Sequence, residues 1–189
     1  MNVRLHAIEP ASRANGPGRR AVLWLQGCSL GCPGCFNPAT HSFGDGFEAD
    51  VATVADDILS AHAAGRIEGV SFSGGEPFQQ PAALLDLAER LDHANLSQLA
   101  FSGFTRAEIE RLPLGAEILL RLDVLIAGRF VERQRVARDL LGSANQQIHL
   151  LTSRHTLAEF RDTPGREVIL HGDGSITLSG IAPWQVRGA

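Results

Sequence analysis

Apolar residues along this chain fall in short runs that switch between a two-residue and a helical spacing. Val3–Ile8 and Ala21–Leu25 are predicted as strands, with the turn-rich "ASRANGPGRR" between them. Glu48–Ala64 carries Val51, Val54 and Ile58 on one helical face, and Pro81–Ala94 carries Leu84, Leu87 and Leu91 in the same way. Ile67–Phe72, Leu96–Phe101, Asp123–Ile126, Gln147–Leu151 and Glu167–His171 read as further strands and Thr105–Arg111 as a short helix. "HGDGS" reads as a hairpin turn into Ile176–Leu178. Alternation of strand and helix predicts an α/β fold with a mainly parallel sheet, in a single domain over residues 1–189.

In sheets of that class ligands collect beyond the C-terminal ends of the strands. Polar motifs occupy those positions here: "QGC" after one strand, "SGGEP" after the next and "SGFT" after the third. Three loops opening on one mouth predict an active site rather than a structural staple.

Composition narrows the chemistry. A net charge of −4 argues against a nucleic-acid partner held by a broadly basic surface. All 17 basic residues are arginine, which excludes lysine Schiff-base chemistry and a P-loop lysine. The N-terminus has no apolar signal-peptide core and no run approaches a membrane span, so a cytoplasmic protein with reduced thiols is expected.

The three cysteines, Cys28, Cys32 and Cys35, all lie in "QGCSLGCPGCFNP". An odd count in one cluster argues against a disulfide framework. Two readings of the spacing stand side by side. Three thiolates can hold three corners of a 4Fe–4S cluster and leave one iron open, since full protein ligation takes four cysteines. With His41 they can instead form a Cys3His zinc site.

Followed by "SGGEP" at Ser73–Pro77, the Cys28-x3-Cys32-x2-Cys35 motif resembles the radical S-adenosylmethionine superfamily. The resemblance implies a partial (β/α) barrel, a 4Fe–4S cluster on the three cysteines and S-adenosylmethionine on the open iron. It places Ser73, Gly74, Gly75 and Glu76 against that cofactor, mainly through main-chain atoms. Two adjacent glycines after an apolar strand agree with it, because they let a ligand approach the backbone closely. "GPGRRAVLWLQGCSLGCPGCFNP", "FSGGEP", "FSGFT", "DVLIAGRF" and "GSANQQI" occur in the order found in small activating enzymes of glycyl radical enzymes. Within them the chain is similar to the branch that serves anaerobic ribonucleoside-triphosphate reductase. That branch implies reductive cleavage of S-adenosylmethionine to a 5′-deoxyadenosyl radical and removal of a hydrogen atom from a backbone glycine of a partner glycyl radical enzyme. The electron is expected from a reduced flavodoxin or ferredoxin type donor. No catalytic side-chain base is expected.

Three departures stand out. Gly34 occupies the position before the third cysteine, where the wider superfamily usually has an aromatic residue that touches adenine and the reductase-activating branch often has glycine. Ala127 stands where the branch has an acidic residue, and Phe101 and Phe104 stand in a motif that is tyrosine-rich there. Other segments carry two readings each. Ser102, Gly103 and Thr105 line an adenosine pocket or cap a helix. Ser143, Asn145 and Gln146 bond the cofactor or form a polar turn. Asn37 orders the cysteine loop through side-chain-to-backbone bonds. Arg129, Arg133, Arg135 and Arg138 are expected on a solvated helix face, with docking of an acidic partner as the alternative. Two further function classes remain at this level: a radical enzyme acting on a small molecule or peptide, and a non-catalytic zinc or iron–sulfur module.

Overall fold

The computed structural model describes residues 1–182. The elements in chain order are β1 (Asn2–Ser12), β2 (Arg20–Leu25), β3 (Phe47–Asp50), α1 (Val51–Ala63), β4 (Gly69–Gly74), α2 (Pro81–Asp92) and β5 (Ser97–Ser102). Short helices α3 (Arg106–Ile109) and α4 (Gly115–Leu119) follow, then β6 (Val124–Ala127), β7 (Arg135–Arg138), β8 (Leu141–Ser143) and β9 (Gln147–Leu150). Helix α5 (Leu157–Asp162) and the strands β10 (Glu167–Leu170) and β11 (Ile176–Ser179) complete them. A seven-stranded sheet runs in the order β3-β1-β2-β4-β5-β6-β9, and β7–β8 and β10–β11 form two separate ribbons. Strands β2, β4, β5 and β6 are parallel, whereas β1, β3 and β9 flank them antiparallel.

The expected α/β sheet with a parallel centre is therefore present, and its differences from expectation have local causes. The predicted helix from Glu48 begins at Val51 because Asp50 caps it, its carboxylate accepting the Thr53 N–H at 3.1 Å. Residues 47–50 pair with β1 through the backbone and are mostly exposed, so no apolar pattern marks them as a strand. The four arginines expected on a helix face do not share one. Gly128, with φ of +122°, turns the chain after β6, Arg129 lies in the following loop, Arg133 is in a short 3-10 turn, and Arg135 and Arg138 end strand β7.

Side-chain alternation along the parallel strands builds two faces. Ala21, Leu23, Leu25, Val70, Phe72, Ala100, Leu125 and Ala127 point to one side and pack beneath α1 and α2, with Val54, Ile58, Leu84, Leu87 and Leu91. Ala127 thus belongs to the main core, where an acidic side chain would lose its hydration; the residue is 3% exposed. Leu99, Val124 and Ile126 point the other way and pack with Leu140 and Phe160. Among the described residues no helix is long and apolar enough to cross a membrane.

On that second face, at the start of β2, Arg20 is fully buried. Its Nε donates to Ser71 Oγ at 2.9 Å; Nη1 donates to Pro17 O and Ser97 Oγ, both at 3.1 Å; Nη2 donates to Val70 O at 2.7 Å and Ser97 O at 2.9 Å. All five guanidinium N–H donors are thereby used, which a buried cation requires. Burial lowers its pKa to about 10, so it stays charged at neutral pH, with Asp123 and Glu68 acting against the shift. The β10–β11 ribbon closes the side of the fold next to β1. Glu167 accepts from Ser12 Oγ and the Arg13 N–H, both at 2.8 Å, and Asn15 donates to Ser179 Oγ at 2.6 Å.

Arg20→Ala leaves several buried neutral oxygens without donors and should destabilise the fold by at least about 1–3 kcal/mol, the range for one buried polar group left unsatisfied. Arg20→Lys keeps the charge with fewer donors and should cost less. Urea unfolding midpoints of the two variants against the parent chain measure both.

Candidate active site

Because β2, β4 and β5 are parallel and in register, their C-terminal ends reach the same level, and the loops that follow them meet. They enclose a cavity of about 460 Å³ lined by Cys28, Cys32 and Cys35, by Ser73, Gly74, Gly75 and Glu76, and by Ser102 and Gly103. That volume suits a small organic ligand. Inward-facing Trp24, Ser73 and Phe101 form its floor side.

The first two loops are bonded main chain to main chain. The Gly75 N–H donates to Leu25 O at 2.8 Å and the Glu76 N–H to Gly27 O at 2.9 Å. A Cβ at position 75 would stand 2.3 Å from Gly27 O, so the close approach of the loops itself demands glycine there. Both of these N–H groups are thereby engaged within the protein. Asn37 bridges the same loops: its N–H points at Cys35 Sγ at 3.4 Å and its Nδ2 at Gly74 O at 3.5 Å.

Glu76 joins the second loop to the third. Its Oε1 accepts from Ser102 Oγ at 2.9 Å and from the Phe78 N–H at 3.1 Å, and its Oε2 accepts from the Gly103 N–H at 2.8 Å. The carboxylate is therefore a clamp across the mouth, although its residue also lines the cavity. Burial pushes it up to about 7, against the three donors and the Arg129 charge, which favour ionisation.

The thiols of Cys28, Cys32 and Cys35 are partly buried and unpaired by any disulfide. Burial raises the Cys28 and Cys35 pKa values, and neighbouring negative groups add to this: Glu76, Cys35 and Cys32 for Cys28, and Cys32 for Cys35. Such a set accommodates a bound cationic group that would hold the thiols as thiolates. Among the described residues no three His, Cys, Asp or Glu side chains converge around a point as ligands of a single ion. Three thiols on one loop can serve three corners of a cubane, each on a different iron. His41 is not part of the cavity wall; its carbonyl accepts the Cys28 N–H at 3.0 Å. The donor set thus fits a cluster.

The remaining expected residues, Gln146 apart, are placed elsewhere. Thr105 caps α3 through a reciprocal pair with Glu108. Ser143 accepts the Val131 N–H at 3.1 Å and Asn145 donates to Arg129 O at 2.8 Å; neither lines the cavity, while Gln146 does. Phe104 stacks beneath the Arg129 guanidinium at 5.1 Å. Wall residues not anticipated from the sequence include Phe36, Phe130, Leu140 and Gly142, and Thr177–Ile181 of the C-terminal ribbon. Phe36 had a signal in its adjacency to Cys35; the ribbon had none, being brought in by its bonds to β1.

Since the folded chain holds the Glu76 proton more tightly than the unfolded chain does, the stability it contributes is complete below about pH 4.5 and is lost as pH rises through about 7. The loss amounts to about 3 kcal/mol. Urea midpoints of the cluster-free chain should fall over this range, and those of Glu76→Gln should fall less.

Comparison with known proteins agrees with this geometry. The family described as "4Fe-4S single cluster domain" matches residues 14–149. An anaerobic ribonucleoside-triphosphate reductase-activating protein of Pasteurella multocida is 34% identical over 152 residues, 76% of this chain and 94% of the relative. The protein of that name from Vibrio cholerae is 32% identical over 154 residues, 78% of this chain and 97% of the relative. A pyruvate formate-lyase-activating enzyme of Clostridium pasteurianum is 37% identical over 86 residues, 44% of this chain and 36% of the relative. The chain belongs to the 4Fe-4S single cluster domain family and, within the radical S-adenosylmethionine superfamily, to its glycyl-radical-enzyme activating proteins.

Proposed function

We propose that this chain activates a glycyl radical enzyme of the anaerobic ribonucleoside-triphosphate reductase kind. The observation that carries the reading is the opening of three thiols and a Gly-Gly-Glu turn on one cavity. Cys28, Cys32 and Cys35 would hold a 4Fe–4S cluster, and the turn from Ser73 to Glu76 would receive S-adenosylmethionine beside it. When bound, these groups supply one-electron cleavage of the sulfonium to methionine and a 5′-deoxyadenosyl radical, which takes a hydrogen atom from a partner glycine.

The chain's own residues position and shield. Gly75 and Gly27 bring the turn against the cysteine loop, Glu76 holds the Ser102–Gly103 loop to it, and Phe101, Phe130, Leu140 and Leu178 furnish apolar wall that excludes water. No general base is required, because the hydrogen leaves as an atom. The parallel centre with its flanking strands would be a partial (β/α) barrel of radical S-adenosylmethionine type. The electron donor is read as a reduced flavodoxin or ferredoxin type protein, and the compartment as the cytoplasm.

Anaerobic reconstitution with iron and sulfide, then reduction with S-adenosylmethionine present, should yield 5′-deoxyadenosine, and Cys28→Ala, Cys32→Ala or Cys35→Ala should each abolish it. Mixing with an anaerobic ribonucleoside-triphosphate reductase should then produce a glycyl-radical resonance. Uptake of zinc without an iron–sulfur chromophore would falsify the reading; 5′-deoxyadenosine without the protein radical would move it to another substrate.

A further inference from the structure

Side-chain alternation gives the C-terminal ribbon two unlike faces. In the pairing of β10 with β11, Glu167 stands opposite Ser179 and Ile169 opposite Thr177, while Val168 stands opposite Leu178 and Leu170 opposite Ile176. The first set is the less exposed and carries the anchors to the body of the fold. Glu167 accepts from Ser12 Oγ and the Arg13 N–H, and Ser179 Oγ accepts from Asn15 at 2.6 Å. At the base of the ribbon the Ala182 N–H donates to Gly165 O at 2.8 Å. The second set consists of four large apolar side chains, each between 54% and 74% exposed. The ribbon is thus held firmly by its polar face and presents an uncovered apolar one.

Two successive cross-strand pairs set their side chains next to one another, and a contiguous exposed patch of this kind has the form of a docking surface. Its position points to the occupant. Leu178 belongs to two surfaces at once: it pairs with Val168 on the ribbon, and it lines the cavity shared by the thiols and the Gly-Gly-Glu turn. Leu170 and Ile176 continue the apolar strip away from the cavity, toward the turn that joins the two strands. The proposed reaction takes a hydrogen atom from the main chain of another protein, so that protein must send a backbone segment into the cavity. A segment entering past Leu178 brings its flanking surface over Val168, Leu170 and Ile176. A small substrate would leave these three side chains in water, and a second copy of this chain seated on them would cover Leu178 and crowd the same entrance.

We propose that the outward face of the β10–β11 ribbon, formed by Val168, Leu170, Ile176 and Leu178, docks the protein whose glycine is activated, against an apolar patch beside its glycine-bearing segment. This role rests on the activase reading given above and adds to it the surface that selects the partner. Val168, Leu170 and Ile176 lie outside the cavity wall, so they supply affinity and orientation without touching the chemistry. Because the ribbon is already anchored to the end of β1 and the loop after it, little ordering remains to be done when the partner binds.

The test is the rate of glycyl-radical formation by the anaerobically reconstituted chain, followed by electron paramagnetic resonance against the concentration of the anaerobic ribonucleoside-triphosphate reductase of the same organism. Val168→Thr, Leu170→Thr and Ile176→Thr, combined in one chain, keep strand-compatible side chains while removing apolar area. Leu178 stays unchanged because it lines the cavity. The triple variant should need roughly tenfold more reductase for half the maximal rate, the scale of losing an interface anchor. Its 5′-deoxyadenosine yield without reductase should equal that of the parent chain. Leu170→Thr alone, at the most exposed position of the four, should shift the requirement in the same direction and carries the test if the triple variant does not fold. An unchanged reductase requirement would overturn the proposal. So would a fall in melting temperature shared by both variants, which would mean that residues 183–189 of the chain itself cover the face. A dimer of the parent chain in sedimentation that the substitutions dissociate would assign the face to a second copy and overturn it too. A parent chain that forms 5′-deoxyadenosine but puts no radical on the reductase at any concentration would instead remove the activase reading, and the docking role with it.

Discussion

One buried guanidinium sets the terms for the rest of this protein. Arg20 lies at the N-terminal end of β2 and bonds to Val70 and Ser71 of β4 and to Ser97 of β5. Three parallel strands are tied at one end by a single planar group whose donors have fixed directions. A buried charge tolerates no loose partners, so the strands can shift relative to one another only by exposing it. Parallel register carries that constraint along the sheet to the far ends, where Leu25 pairs with Gly74 and Phe72 with Ala100. The three loops meet there because their strands begin level.

At the far end a second buried ionisable group does the corresponding work with the opposite charge. Glu76 binds the third loop to the second, while Gly75 and Glu76 bind the second to the first through their N–H groups. The mouth thus gathers a carboxyl and three thiols in partly or wholly dehydrated positions. Burial is the chief cause that raises the pKa values of Glu76, Cys28 and Cys35. A cationic ligand among them reverses the penalty.

Departures from the family pattern also become intelligible once packing is considered. Ala127 faces the core beneath the helices, next to Ala100 and Leu125, so its small apolar side chain matches its surroundings. Phe104, lacking a hydroxyl, presents its ring to Arg129, which also donates to Gly103 O at 2.8 Å and thereby steadies the third loop. Gly34 answers to a left-handed backbone, with φ of +69°.

The order of strands and helices, the thiol triad and the glycine turn were all legible in the sequence, because apolar spacing and turn chemistry are local properties. Leu84, Leu87 and Leu91 announce a helix whatever lies around them, and three cysteines in eight residues must share a loop. Tertiary structure alone decided which polar residues face the cavity. Ser143, Asn145 and Thr105 look as suited to a ligand as Ser102 or Asn37, yet their side chains satisfy nearby backbone groups. It alone brought Phe130 and Gly142 to Phe36, across about a hundred residues of chain, and set Thr177–Ile181 in the wall through bonds to the end of β1 and the loop after it. Such pairings arise from strand register and from the burial of Arg20 and Glu76, and neither has a period that a linear reading can detect.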